Sequence, residues 1–292
     1  MSASSSSRPR GGAGQIEHYR EQGYVVVPQT LGPDEIKRYL SRATEIAHGD
    51  HPPEAARRLV KDIRFAKGEL PMPADPEHAL WKLLNPDRFD AVMAECLNFP
   101  RVLDAVSNLI GEDLLAFLLM FIYKPPGVEA AYHPFHQDGA YFPFEPLDQV
   151  VGVWIPLDPA DADNGSLCVV PGSHELPIGG HRAIAGVNAG AFAAQAEHDE
   201  EAHEKSVTFD LSPGDCVIFH PRLLHRTGGN TTQRHRRVVT LHIASARCTP
   251  KAQGMSEYGF KLVRGRTYEG GLQPVEQQSV RLGGPTPHDR EK

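Results

Sequence analysis

Residues 206–244, SVTFDLSPGDCVIFHPRLLHRTGGNTTQRHRRVVTLHIA, decide how this chain folds. Three short β-type runs (206–211, 216–220 and 236–244) are separated by turn chemistry, above all Pro213-Gly214-Asp215. Runs of this length bounded by Pro, Gly and Asp read as strands. In the last run Arg236, Val238, Thr240 and His242 share one face, and Arg237, Val239, Leu241 and Ile243 the other. The second set is the more apolar and suits packing under helices; the first is the more polar and suits a barrel lumen.

The same pattern extends upstream. Runs at 114–124, 149–157 and 166–170 alternate with the turn signals Pro125-Pro126-Gly127, Asn164-Gly165 and Pro171-Gly172. Before them the chain reads as helical. A short helix is expected from Ile16, leading into the apolar run Tyr24 to Val27. Pro33 opens a second helix, because proline at the first helical position loses no hydrogen bond. Its apolar positions Ile36, Tyr39, Leu40, Ala43 and Ile46 keep the 3.6-residue period, and Gly49 is a plausible stop. Residues 79–111 also read as helical. The fold class that follows is mainly β with flanking helices, an antiparallel barrel or jelly roll. Residues 1–14, all Ser, Gly, Pro, Arg, Ala and Met, are expected to be a disordered tail; 15–282 form one catalytic domain, and 283–292 a loose end. Residues 179–205 read as a long loop or lid.

A net charge of -7 disfavours nucleic-acid or anionic-membrane partners, which reward clustered Lys and Arg, and leaves a small-molecule substrate as the expected partner. Cys96, Cys168, Cys216 and Cys248 show no CxxC spacing, and no apolar run is long enough to span a bilayer. A cytoplasmic home is expected.

His136-Gln137-Asp138 sets an imidazole and a carboxylate two residues apart, so on extended backbone both project from one face. Alone, so short a motif occurs by chance. His225 adds a second imidazole from a later strand. Two imidazoles and one carboxylate make the facial triad of non-haem iron(II) sites, with positions left open for cosubstrate and oxygen. Arg236 follows eleven residues after His225, on the polar face of its strand. It is therefore preferred over Arg237 as the fork for a dicarboxylate.

GYVVVPQTLGPDEI (23–36), HQD (136–138), VVGVWIPLDPADADNGSLCVVPGSH (150–174) and the stretch from Pro213 to Leu241 together resemble the phytanoyl-CoA dioxygenase family of 2-oxoglutarate-dependent oxygenases, over residues 16–246. The resemblance implies a double-stranded β-helix of the jelly-roll, cupin-like kind, with iron(II), 2-oxoglutarate and O2. It implies hydroxylation of an aliphatic C–H of a small acid, acyl derivative or secondary metabolite, with release of succinate and CO2. It makes His136, Asp138 and His225 the metal ligands and Arg236 the partner of the distal carboxylate, supported by Thr227, with Met120, Trp154 and Lys82 lining the same pocket. Related halogenases lack the metal-binding carboxylate; Asp138 is present here, which points to hydroxylation. The substrate wall is expected from Gln137, Tyr141 and Phe142, within an aromatic run that includes Tyr132, Phe135 and Phe144. The alternative is a catalytically silent metal- and 2-oxoglutarate-binding protein on the same barrel.

Overall fold

The computed structural model describes residues 12–127, 132–183, 194–196, 199–251 and 259–275. Its first strands are β1 (Tyr24–Val27), β2 (Leu59–Lys61), β3 (Leu80–Leu84), β4 (Leu114–Lys124) and β5 (His133–His136). They are followed by β6 (Phe144–Glu145), β7 (Val150–Pro156), β8 (Leu167–Val169), β9 (His181–Ala183), β10 (Ala194–Ala196) and β11 (Val207–Thr208). The last are β12 (Cys216–Phe219), β13 (His225–Thr227), β14 (Arg236–Ser245), β15 (Thr249–Pro250) and β16 (Lys261–Arg264). The helices are α1 (Gly12–Gln22), α2 (Pro33–Ala47), α3 (Ile63–Ala66), α4 (Ala91–Glu95), α5 (Pro100–Ile110) and α6 (Asp199–Lys205).

Two antiparallel sheets make the barrel. The larger runs β1-β12-β7-β14-β4-β3-β2, with β16 added on β4; the smaller runs β11-β8-β13-β5. This is the expected jelly roll. The alternation read in β14 is realised on both faces. Val239, Leu241 and Ile243 join one core with Tyr39, Ala43 and Ile46 of α2 and Val102 and Val106 of α5. Burial of such side chains contributes roughly 1.5–3 kcal/mol each, which is what clamps the helices to the outside of the large sheet. Val238, Trp154 and Val217 face inward and meet Leu167 and Val169 of the small sheet.

Local chemistry explains the joints. The Gly32 N–H donates to the Glu35 carboxylate at 2.8 Å where α2 begins, with Pro33 at its first turn. Gly214, at φ 84°, lets the Pro213-Gly214-Asp215 turn present its carbonyl to the N–H of Thr30 at 2.7 Å. The Asp215 carboxylate accepts the Ser212 and Gln29 N–H groups, both at 3.0 Å, so this turn also anchors the chain leaving β1.

Three expectations are corrected. Residues 80–84 are not helical: Leu80–Leu84 is strand β3, paired to β4 through Lys82 opposite Ile122. Its residues are apolar enough for either state, and an unpaired edge of β4 decided between them. Helix α1 starts at Gly12, inside the expected tail, because it packs beside β1 and α5. The stretch 179–205 is not simply loop: it holds β9 paired with β10 and then α6, with β10 lying against β5. Residues 184–193 and 197–198 of that stretch, residues 1–11 and the end after 275 lie outside the described residues.

Candidate metal centre and cosubstrate cavity

Strand pairing brings the two imidazoles together. His225 of β13 lies directly opposite His136 of β5, and their ring centroids are 4.1 Å apart. Asp138, just past β5 in a short 3-10 turn, folds its carboxylate back to the pair. Its Oδ1 is 3.4 Å from Nε2 of His136 and 3.7 Å from Nε2 of His225. The three ligand atoms lie within 4.8 Å of one another, and no other such group of three occurs among the described residues.

Both rings are aimed by their own backbone. Nδ1 of His136 is 2.9 Å from the Pro134 carbonyl and Nδ1 of His225 is 2.9 Å from the Leu223 carbonyl. A carbonyl can only accept, so each Nδ1 carries the hydrogen and each Nε2 is left as a lone pair facing Asp138. Burial, reinforced by the neighbouring His136, pushes the His225 imidazole down to about 4, so the ring is neutral at physiological pH. Burial works against charge on Asp138 too, but the surrounding imidazoles and the hydrogen bond from His242 outweigh it and hold the carboxyl well below its usual range. A neutral imidazole beside an ionised carboxylate is the donor set a divalent cation takes.

The cavity runs from this cluster along the inner face of the large sheet and measures about 100 Å³. Register lays out its floor. Thr240 stands between Met120 of β4 and Trp154 of β7, His242 stands opposite Leu118 and Gly152, and Arg236 stands opposite Lys124. Arg236 is fully buried, yet Nε, Nη1 and Nη2 have no hydrogen-bond partner in the structure. The Trp154 ring, 5.7 Å from its Cζ, is its aromatic neighbour. Burial, only partly offset by the Asp158 carboxylate, lowers its pKa to about 9. A charged fork left so is expensive in isolation and is offset when an anion with two parallel oxygens binds it. The unpaired guanidinium and the buried Thr240 hydroxyl, also without a partner, fit the distal carboxylate of a dicarboxylate.

Other expected residues divide into those that reach the cavity and those that do not. Thr227, Trp154, Met120 and Lys82 line it, as do Tyr141 and Phe142. Burial lowers the Lys82 ammonium to about 8, and its Nζ sits 3.7 Å from the centroid of the Trp81 ring. Gln137 is corrected: with His136 and Asp138 turned inward, its side chain points away and ties backbone. Its Nε2 donates to the Arg222 carbonyl at 2.8 Å and its Oε1 accepts the Gly179 N–H at 3.0 Å. Phe135 and Phe144 are fully buried core side chains and Tyr132 is exposed, so the aromatic run is mostly packing.

Four further ionisable residues line the cavity that sequence reasoning did not mark as site residues: His242, Lys124, His133 and Arg226. His242 carried a signal, since it shares the strand face of Arg236. Its Nε2 is 2.8 Å from Oδ2 of Asp138. Lys124 donates to the Gly228 carbonyl and, at 3.5 Å, to that of Thr227, holding the end of β13 to β4.

An antiparallel barrel whose lumen offers imidazoles and an ionised carboxylate to a cation, and a buried guanidinium without a hydrogen-bond partner to an anion, has the make-up of an iron- and 2-oxoglutarate-dependent dioxygenase. The family model described as Phytanoyl-CoA dioxygenase (PhyH) matches residues 19–238, and the chain belongs to that family. It is 33% identical over 241 residues to a Caenorhabditis elegans protein named probable phytanoyl-CoA dioxygenase, covering 80% of this chain and 75% of that one. It is 30% identical over 239 residues to the human peroxisomal phytanoyl-CoA dioxygenase, covering 80% and 68%. Among solved structures, the non-heme monooxygenase ThoJ aligns with a TM-score of 0.65 at 22% identity over 91% of this chain and 88% of that one. The epimerase SnoN, in complex with Fe3+, alpha ketoglutarate and nogalamycin RO, aligns with a TM-score of 0.62 at 22% identity over 91% and 93%. These last two likenesses bear on the fold.

Proposed function

We propose that this enzyme hydroxylates an aliphatic C–H of a small organic substrate, with His136, Asp138 and His225 holding iron(II) and Arg236 holding the distal carboxylate of 2-oxoglutarate. The observation that carries the reading is the unpaired, fully buried Arg236 fork on the wall of the cavity that also contains the triad. Iron in this setting supplies the activation of O2 that, coupled to decarboxylation of 2-oxoglutarate to succinate and CO2, oxidises an unactivated C–H bond.

The residues of the chain supply the rest. Asp138 brings one negative charge to the cation, and the imidazoles bring none, so the site stays cationic enough to attract an anionic cosubstrate. Arg236 and the Thr240 hydroxyl bind the far end of that dianion, while the Trp154 and Met120 side chains flank it and exclude water. Thr227, at the end of β13, and Lys82, across the sheet on β3, extend the polar lining. Tyr141 and Phe142 offer apolar wall to the substrate, beside Leu118 and Phe219. The retained carboxylate at Asp138 favours hydroxylation over halogenation, since it occupies the position a halide would need.

All four cysteines are buried and free, which accords with a reducing compartment. The names of the relatives make acyl-CoA derivatives the first candidates for the substrate, and free carboxylic acids are screened beside them. The test is an aerobic screen of such compounds with the protein, iron(II) and 2-oxoglutarate, reading succinate and a product with one added oxygen atom. Succinate and hydroxylated product formed together support the reading. A protein that binds iron(II) and 2-oxoglutarate yet forms no succinate, with or without any of these compounds, is the silent binder instead.

A further inference from the structure

We infer that His242 is a positioning residue that reserves one oxygen of Asp138, so that the carboxylate presents only the other to the metal; the inference rests on the triad being the iron site. The Asp138 carboxylate has two chemically equivalent oxygens, and a divalent cation readily takes both. Here they are made inequivalent. Oδ1 faces Nε2 of His136 and of His225, at 3.4 and 3.7 Å. Oδ2 is 2.8 Å from Nε2 of His242. An ionised carboxylate oxygen is only an acceptor, so His242 Nε2 carries the hydrogen and donates it.

The donor is held in place from both sides. His242 is buried on the inner face of β14, its ring 5.2 Å from Phe142 in an edge contact and 5.8 Å from Phe117. Its Cα partners, Leu118 on β4 and Gly152 on β7, belong to the two central neighbours of that strand. Gly152 leaves its side of the sheet open, and the Phe219 ring fills that space so closely that a Cβ there would overlap it. Packing against the Phe142 and Phe117 rings limits how far the imidazole can follow Asp138 if the carboxylate turns. A bond from β14 to the turn after β5 also ties the large sheet to the small one at the metal, which a ligand set confined to the small sheet would not do.

The consequence is chemical. With one oxygen given up to His242, the protein would fill one fewer coordination position on the metal, leaving that position to cosubstrate or oxygen. Removing the donor frees Oδ2 to ligate and lets the carboxylate swing.

The experiment uses the full chain with cobalt(II) as a spectroscopic probe, in the wild type and in His242→Phe, His242→Gln and Asp138→Ala. Phe keeps bulk and removes the donor; Gln restores an N–H donor. Three readouts are taken: cobalt(II) affinity, the shape and intensity of the visible ligand-field bands, and the melting temperature of the metal-free protein. Expected for His242→Phe is a loss of affinity on the order of 10-fold or more with altered bands. In the iron(II)-loaded protein, cosubstrate turnover should lose more in kcat than it loses through a raised KM, and His242→Gln should recover much of both. Unchanged bands and affinity in a His242→Phe protein that melts like the wild type overturn the inference; so does a His242→Gln protein as defective as His242→Phe while both melt normally. If His242→Phe fails to fold, His242→Gln decides alone: wild-type bands and affinity support the donor role, and altered bands at normal melting temperature refute it. Failure of the underlying reading looks different: the wild type would then bind cobalt(II) no better than Asp138→Ala does.

Discussion

Arg236 and Arg237 are neighbours in sequence and opposites in structure. Arg237, on the outer face of β14, is satisfied: its Nε and Nη2 reach the Asp158 carboxylate at 2.8 and 2.9 Å, its backbone N–H donates to the same carboxylate at 2.8 Å, and Glu77 lies 3.5 Å from Nη1. Arg236, on the inner face, is more deeply buried and has no hydrogen-bond partner. The difference teaches which arginine belongs to the fold and which to the chemistry. A protein stabilises itself with the first and leaves the second for something that arrives.

The comparison breaks most visibly at the cation that gives the cavity its purpose. Asp138→Ala should cost at least about 1000-fold in succinate formation, because it removes the one charge that the ligand set contributes; a steady-state assay with iron(II) in excess reads it. Arg236→Leu should raise the cosubstrate's KM on the order of 100-fold while leaving the melting temperature of the ligand-free protein unchanged or higher, since an uncompensated buried charge is gone. Arg237→Ala should do the reverse. It leaves Asp158 half-buried without its fork and should cost about 3 kcal/mol in denaturant-induced unfolding, with turnover per folded molecule retained.

Two smaller effects sharpen the contrast between a packed and an open inner face. Gly152→Ala should cost about 2 kcal/mol, because the added methyl overlaps the Phe219 ring, which lines the cavity and must shift to make room. Acid acts on the metal-free protein through His220 and His225, whose imidazoles burial pushes down to about 4. Unfolded, each binds a proton near 6.5, so between 6.5 and 4 the unfolded chain holds more protons than the folded one. The stability they contribute is complete above 6.5 and is lost as pH falls through that window. The drop from pH 7 to pH 6 should be about 1 kcal/mol, measurable by urea titration, and saturating divalent metal should reduce it.

Much of this is legible in the sequence. Strand β14 announces both of its faces through strict alternation, and that alternation alone ranks Arg236 over Arg237 for the cavity. The bulge between His242 and Ile243 falls beyond Thr240, too late to invert the parity that matters. His136, Asp138 and His225 can be paired because turn chemistry marks the strand ends on which they sit. Less is legible where composition admits two answers. Leu80–Leu84 is apolar enough for helix or strand, and only the free edge of β4 makes it a strand. Gln137 could not be placed, because side chains in the turn after β5 no longer alternate and its partners, the Arg222 carbonyl and the Gly179 N–H, come from distant loops. His242 is on the right face, but its bond to Asp138 crosses between sheets, a distance that strand periodicity does not encode.

The claim on which the rest depends is that Arg236 waits for the second carboxylate of 2-oxoglutarate. It is tested most directly by comparing anaerobic binding of 2-oxoglutarate and of 2-oxopentanoate, which lacks that carboxylate, to the iron(II)-loaded wild type and Arg236→Leu proteins by calorimetry. The wild type should prefer 2-oxoglutarate on the order of 100-fold, and Arg236→Leu should bind the two alike. The same preference in both proteins would contradict the account.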